Sequence, residues 1–304
     1  MKKFILITIL VILIPYLVVT FFMKEEQIKF YYNENQIVRV KREETGKIER
    51  VPFEVYIRGV LAGELPTSFH IVALKAQAVA ARSYVLKKME QNKDETFDVI
   101  DTTSNQVYLS DAELKEKWKD SYVSKMNKVT KAVMETTGEY IEYNGEVAEA
   151  FFFSTSSGKT ENVEEVFSEK LPYLRSVDST WDADVSPVFQ VENRFTLEKF
   201  YQLLGLKYQN NLDVKITKTT STGRVKELTI NGTIFSGSTV YQKLKLRSTF
   251  FEIKKVGTEV IVVTKGYGHG VGMSQYGAEG MAKEGYTYDK ILKHYYQGIN
   301  IKKM

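Results

Sequence analysis

The residue best placed for proton chemistry is Glu64, in the turn of VLAGELPTSFHIVALKAQAVAARSYVL. The runs on either side are apolar and helix-forming. Pro52 stands at the expected first helical position, Gly63 just past the expected end, Pro66 closes the turn, and Ser68 is positioned to cap the next helix. A carboxyl at a helix C-terminus faces the negative end of the macrodipole, and apolar walls disfavour its charged form. Both push its pKa upward, and an acid that keeps its proton near neutral pH is a general acid. The competing reading is a solvated turn glutamate.

Other chemistries lack their parts. There is no Cys, and the three His are His70, His269 and His294, with no HExxH spacing. No metal site and no cofactor are expected. Ser274 lies in GMSQYG, one residue off the GxSxG elbow. Ser156 and Lys159 match SxxK without an SDN or KTG partner, so neither serine is read as a nucleophile. Asp178, Asp182 and Asp184 flank Trp181 with the spacing of turn-forming acids, without the glycine and terminal glutamate of a calcium loop. Gly266, Gly268, Gly270 and Gly272 alternate, which fits neither GxGxxG nor a P-loop. Alternate glycines let another chain come close to exposed backbone, with His269, Ser274 and Gln275 as polar handles; the competing reading is a loop that only packs on the core.

The elements that must hold these residues read as α+β. A strand-rich lead-in at 24–50 has two β-prone runs around an Asn-rich turn. The helix–turn–helix around Glu64 runs to about residue 88, its second helix rich in alanine. Gln77 and Tyr84 share one face of that helix, and Lys75 and Arg82 another. A charged Arg82 inside AVAARSYVL is either functional or a snorkelling surface arginine. One long helix is expected over 111–137 on the stripe Leu114, Trp118, Tyr122, Met126, Val129, Val133. A hairpin follows over Asn144-Gly145, then a small-residue turn entering a short helix at STSSGKTENVEEVF. A second α+β stretch covers 186–258, with a helix at 196–204, a hairpin over Thr222-Gly223 and a turn at Asn231-Gly232. A strand at 259–264 leads through the Gly-rich loop into two helices. The expected parts are therefore 1–23, 24–185, 186–258 and 259–304: a helical region around Glu64 packed with antiparallel hairpins, carried on one N-terminal membrane helix.

Composition narrows the partners. A net charge of +4 from 42 basic and 38 acidic side chains, with no basic run interleaved with aromatics, argues against nucleic acid. It suits a neutral or polyanionic partner such as a cell-wall surface. Lys2 and Lys3 precede an uncharged run at 4–23, 20 residues long, enough to span hydrocarbon. We read it as an uncleaved signal anchor with the lysines cytoplasmic and 24–304 outside; a cleaved signal peptide is the competing reading.

YIRGVLAGELPTSF…ALKAQAVAARSY, FFFSTSSGKTENVEEVF and GYGHGVGMSQYGA resemble, in order and spacing, the stage II sporulation protein D family. The resemblance covers about 30–300 and includes the anchor. It implies a lytic transglycosylase of peptidoglycan that acts in engulfment during sporulation, with Glu64 at the catalytic acid. It also implies glycan strands already stripped of stem peptides by a partner amidase, and a membrane complex with that amidase and a polytopic protein at the septal or engulfing membrane. Substrate positioning falls to Gln77, Arg82, Ser156, His269, Ser274, Gln275 and Tyr276. Some members hold zinc through His and Cys between the catalytic helix and the hairpin; DVIDTTSNQVY here has neither, so the metal is not carried over. The family's small-residue turn reads closer to SGG than the SSG of 156–158. Related proteins are amidase enhancers or wall-binding modules, which is the alternative function.

Overall fold

The computed structural model describes residues 9, 11–14 and 25–304. The anchor expected at 4–23 lies, apart from 9 and 11–14, outside the described residues. Among those residues no helix is long and apolar enough to cross a membrane. The rest is α+β, with helices and mostly antiparallel sheets arranged around two hydrophobic cores.

The first core forms around α1 (Phe53–Glu64) and α2 (Ile71–Gln91). Phe53, Tyr56, Ile57, Val60 and Leu61 repeat at helical spacing and are all buried. α2 is buried on nearly every side, and its alanines at 73, 76, 78, 80 and 81 let neighbours approach closely. It packs against α1, α4 (Tyr122–Met134), α8 (Gln275–Lys283), α9 (Tyr288–Tyr295) and strand β4 (Glu139–Tyr143). Before α1, β1 (Ile37–Lys41) and β2 (Ile48–Pro52) form a hairpin, and β3 (Val99–Ile100) pairs parallel to β1. The lead-in therefore has one strand before the hairpin turn, not two.

Three local expectations change. Gly63 lies inside α1 and Glu64 is its last residue, so the glycine is not a left-handed stop. The N-cap of α2 is His70, whose Nδ1 accepts from Val72 N–H at 3.3 Å, rather than Ser68. The long helix at 111–137 is two, α3 (Asp111–Trp118) and α4, because Lys119 turns to φ 46° and a 3-10 turn follows. A Ser110–Glu113 capping box starts α3.

β4 and β5 (Glu146–Val147) turn over Asn144 and Gly145, both at positive φ, as the Asn-Gly signal requires. β14 (Asn300–Lys303) pairs with β4. β6 (Phe152–Phe153) runs parallel to β13 (Met273–Ser274), joining the FFFSTSS segment to the Gly-rich loop. Val163–Glu165 is a single 3-10 turn where a short helix was expected, and α5 (Asp182–Val185) follows it.

The second core includes β7 (Gln190–Thr196), α6 (Leu197–Leu204), β8 (Val214–Thr219), β9 (Val225–Ile230), β10 (Thr233–Ser236) and α7 (Gly237–Lys243). β11 (Phe251–Val256) and β12 (Glu259–Lys265) complete it. β12 is the central strand between β11 and β7, so this sheet continues past residue 258 and its last strand leads directly into the Gly-rich loop.

Candidate active site

Glu64 ends α1 half-buried. One carboxyl oxygen accepts from Val107 N–H at 2.7 Å; the other lies 3.4 Å from the Gln275 amide nitrogen. Burial raises its pKa above the ordinary carboxylate range, and the two hydrogen bonds offset that only in part. No Lys or Arg pairs with it among the described residues, and no second carboxylate contributes to the shift. The site is thus a lone acid biased toward its protonated form.

Segment 105–109 lies across both helices and presents Val107 to this acid. Asn105 donates to the Tyr84 hydroxyl at 3.0 Å, and Gln106 accepts from the Tyr56 hydroxyl at 3.1 Å. Tyr108 stacks on Tyr56 with centroids 5.3 Å apart. A Cβ on Gly63 would lie 2.5 Å from the Val107 carbonyl oxygen, so the glycine is there for close approach. A backbone donor leaves no side-chain signature, and Val107 was not foreseen.

The opposite wall is the start of α8. Gln275 is its first residue, and Tyr276 packs edge-on against Phe69, with centroids 4.9 Å apart. Glu279, one turn on, accepts from His70 N–H at 2.6 Å. Both contacts fasten α8 to the turn that carries Glu64. Ser274 and Ser156 are fully buried behind it and meet at Asp182. Its carboxylate accepts from Ser274 Oγ, and at 2.8, 2.9 and 2.6 Å from Ser156 N–H, Ser156 Oγ and Ser179 Oγ. Asp182, read from sequence as a turn acid, is the hub that holds FFFSTSS to α8.

The glycines serve this same junction. Gly266, Gly268, Gly270 and Gly272 all have positive φ. A Cβ on Gly272 would fall 2.0 Å from the Phe151 carbonyl oxygen, and one on Gly270 2.6 Å from Arg224 Nη2. The chain that approaches their backbone is the protein's own, which corrects the reading of a loop kept open for a ligand. Arg224 reaches in from the second core, donates to the Gly268 carbonyl at 2.9 Å, and is buried against Glu161.

His269 has both nitrogens engaged. Nδ1 accepts from Val271 N–H at 3.1 Å, so Nε2 carries the proton and donates to the Phe152 carbonyl at 3.1 Å. Burial, then the Arg224 charge, push its pKa down to about 4, keeping it neutral. Its ring packs against Phe151, Phe153 and Phe167, and Phe151 in turn touches Tyr84.

Gln77 and Arg82, expected to position substrate, face inward as Ser156 and Ser274 do. Gln77 is wholly buried with both amide atoms unpartnered; it shares a face of α2 with Ala81, whose carbonyl accepts from Gln106. Arg82 is wholly buried and binds the Glu54 carboxylate at 2.9–3.1 Å, and Val133 and Glu139 carbonyls as well. Glu54 and Glu64 stand at opposite ends of α1, about 15 Å apart at 1.5 Å per residue. Arg82 therefore pins the far end of the helix pair. Among the described residues no three of His, Cys, Asp and Glu converge to hold a metal ion.

A family model described as stage II sporulation protein (SpoIID) matches residues 41–143. The chain is 45% identical over 269 residues to stage II sporulation protein D of Bacillus subtilis, covering 87% of this chain and 78% of that one. It is 41% identical, over the same shares, to the protein of that name from Bacillus amyloliquefaciens. It is also 30% identical to an amidase enhancer of Bacillus subtilis, over 81% of this chain and 40% of that one. With 45% identity across 87% of its length to one such protein, the chain belongs to the stage II sporulation protein D family.

Proposed function

We propose that the protein is a lytic transglycosylase that cleaves peptidoglycan glycan strands during engulfment in sporulation. The observation that carries this reading is Glu64, a single carboxyl whose pKa is raised by burial and which has no second acid beside it. Hydrolytic glycosidases use two carboxylates, one to protonate the leaving oxygen and one to act as nucleophile or activate water. A transglycosylase needs only one, because the sugar supplies the nucleophile. Protonated Glu64 gives its proton to the oxygen linking N-acetylmuramic acid to N-acetylglucosamine, and the C1–O bond breaks. The carboxylate then takes the proton of the muramic C6 hydroxyl as that oxygen bonds to C1. The products are a 1,6-anhydro end and a free N-acetylglucosamine hydroxyl.

Val107 N–H holds one carboxyl oxygen through both steps. The Gln275 amide can serve the other in both protonation states, its NH2 donating to the carboxylate and its carbonyl accepting from the acid. The remaining elements of the proposal are denuded glycan as substrate, a partner amidase that removes stem peptides, a polytopic membrane partner, and attachment by the 4–23 anchor with 24–304 outside.

The likeness to an amidase enhancer favours a second reading, in which Glu64 only orients a sugar and the protein assists an amidase without cutting glycan. Mass spectrometry of denuded glycan incubated with the full chain in detergent separates them. Anhydromuramic ends, lost by at least about 10²-fold in Glu64→Gln at unchanged melting temperature, support the enzyme. Reducing ends would make it a hydrolase, and intact glycan would leave the binding module.

A further inference from the structure

Residues 25–32, the stretch immediately after the apolar run, lie along α4. Asn127 fastens them at three points: its side-chain oxygen accepts from Ile28 N–H at 2.8 Å, and its NH2 donates to the Glu26 carbonyl at 2.9 Å and the Glu25 carboxylate at 3.0 Å. Phe30 is held under the Arg58 guanidinium, 4.6 Å from the ring centroid. With those groups fixed, Ile28, Lys29, Tyr31 and Tyr32 point outward, and Tyr31 is 73% exposed.

Beside them α4 carries Lys125, Lys128 and Lys131, which line a depression of about 370 Å³ together with Ser124 and Thr67. Glu25 lines the same depression, and Glu26 and Glu135 stand beside it. Glu25 already accepts from Asn127, and Glu135 pairs with Lys75 as well as standing 3.9 Å from Lys131. Lys125 rests over the Trp118 ring at 5.7 Å. Lys29 and the three α4 lysines outnumber Glu25, Glu26 and Glu135, and Tyr31 and Tyr32 are exposed on the same stretch as Lys29. Lysines that meet phosphate and tyrosines that sit at headgroup depth are the chemistry of a bilayer interface. Position agrees, since Glu25 is two residues beyond the run, a reach of at most about 7 Å.

We infer that the face made by 28–32 and the α4 lysines docks on the phosphate-bearing headgroups of the bilayer that anchors the chain. The inference rests on reading 4–23 as an uncleaved anchor. Thr67 lies three residues after Glu64, so docking presents the acid at the membrane surface and selects the glycan strands nearest the bilayer.

The absence of Cys makes a single label unique. The full chain with a dye on Ser124→Cys is placed in vesicles of phosphatidylcholine, alone or mixed with phosphatidylglycerol, that carry headgroup spin labels. A dye on Lys215→Cys, exposed on β8, is the reference. Docking predicts that the Ser124 dye is quenched at least about threefold more than the reference in the anionic vesicles, with the contrast falling at high salt. The combined variant K125Q/K128Q/K131Q should erase the contrast, and Tyr31→Ser, which keeps the charge, should reduce it. Equal quenching at the two sites overturns the inference, as does quenching indifferent to lipid charge or to the three lysines. Loss of contrast on adding a soluble anionic wall polymer would assign the lysines to that polymer, and would also overturn it. Flotation with the vesicles reports the anchor separately: a chain that floats without the contrast keeps the anchor and loses the docking face, and one that does not float loses both. Product analysis on denuded glycan judges the Glu64 reading independently.

Discussion

A methyl group on Gly63 would lie 2.5 Å from the Val107 carbonyl oxygen and 3.2 Å from Val107 Cγ1, where ordinary contact begins at 3.4 Å. The 107 segment must then retreat by roughly 1 Å, because the buried helix behind Gly63 cannot move. That displacement falls on the 2.7 Å bond from Val107 N–H to Glu64 and leaves the carboxyl with only the 3.4 Å contact from Gln275. Overpacking costs about 1–3 kcal/mol, and alanine's better helix propensity returns about 1 kcal/mol, so Gly63→Ala should stay folded. A misplacement of about 1 Å at the acid costs on the order of 10²-fold in rate. The Val107 bond also lowers the Glu64 pKa, so losing it should push that pKa further up and move the high-pH limb of the rate profile with it. The assay is release of glycan fragments with 1,6-anhydromuramic ends from denuded strands across pH, with melting temperature recorded alongside. A Gly63→Ala variant with unchanged rate and unchanged pH profile would refute the claim that Val107 holds the acid.

Arg82→Met leaves Glu54 buried without its partner and should cost about 3–5 kcal/mol, read as a large fall in melting temperature; a normal melting point would show that the pair is dispensable. His269 titrates at about 4 in the folded chain against 6.5 for the free side chain. The unfolded state therefore binds more protons between those values, and stability should drop by about 3 kcal/mol as pH falls through that window. Urea midpoints measured across it check this, and His269→Gln should flatten the slope. Chelators should change neither activity nor melting temperature, since no His, Cys or carboxylate triad gathers among the described residues; loss with EDTA and recovery with zinc would contradict that.

Much of the local structure was legible because it is written in contiguous residues. The apolar repeat from Phe53 to Leu61 dictates α1, and Asn144-Gly145 dictates its hairpin through positive φ. The Gln275 side of the site was readable from GMSQYG. Less legible were the places where backbone and distant segments decide. The break at Lys119 interrupts an apolar stripe that runs on unbroken in sequence, and periodicity cannot register one left-handed residue. Ser68 and His70 are both able to cap α2, and the turn geometry chose His70.

The sequence by itself determined that one acid would sit between two apolar helices, and that no thiol or zinc-finger chemistry could accompany it. Burial direction follows from composition near the residue, which is why the raised pKa of Glu64 could be expected. Tertiary structure decided what holds that acid: a backbone amide 43 residues away and an amide side chain 211 residues away. It also separated residues that sequence had grouped, turning Arg82 and Asp182 into buried ties and the alternate glycines into seats for FFFSTSS. Hydrogen-bond partners and close approaches depend on which segments meet, and a one-dimensional pattern records only which residues are able to meet.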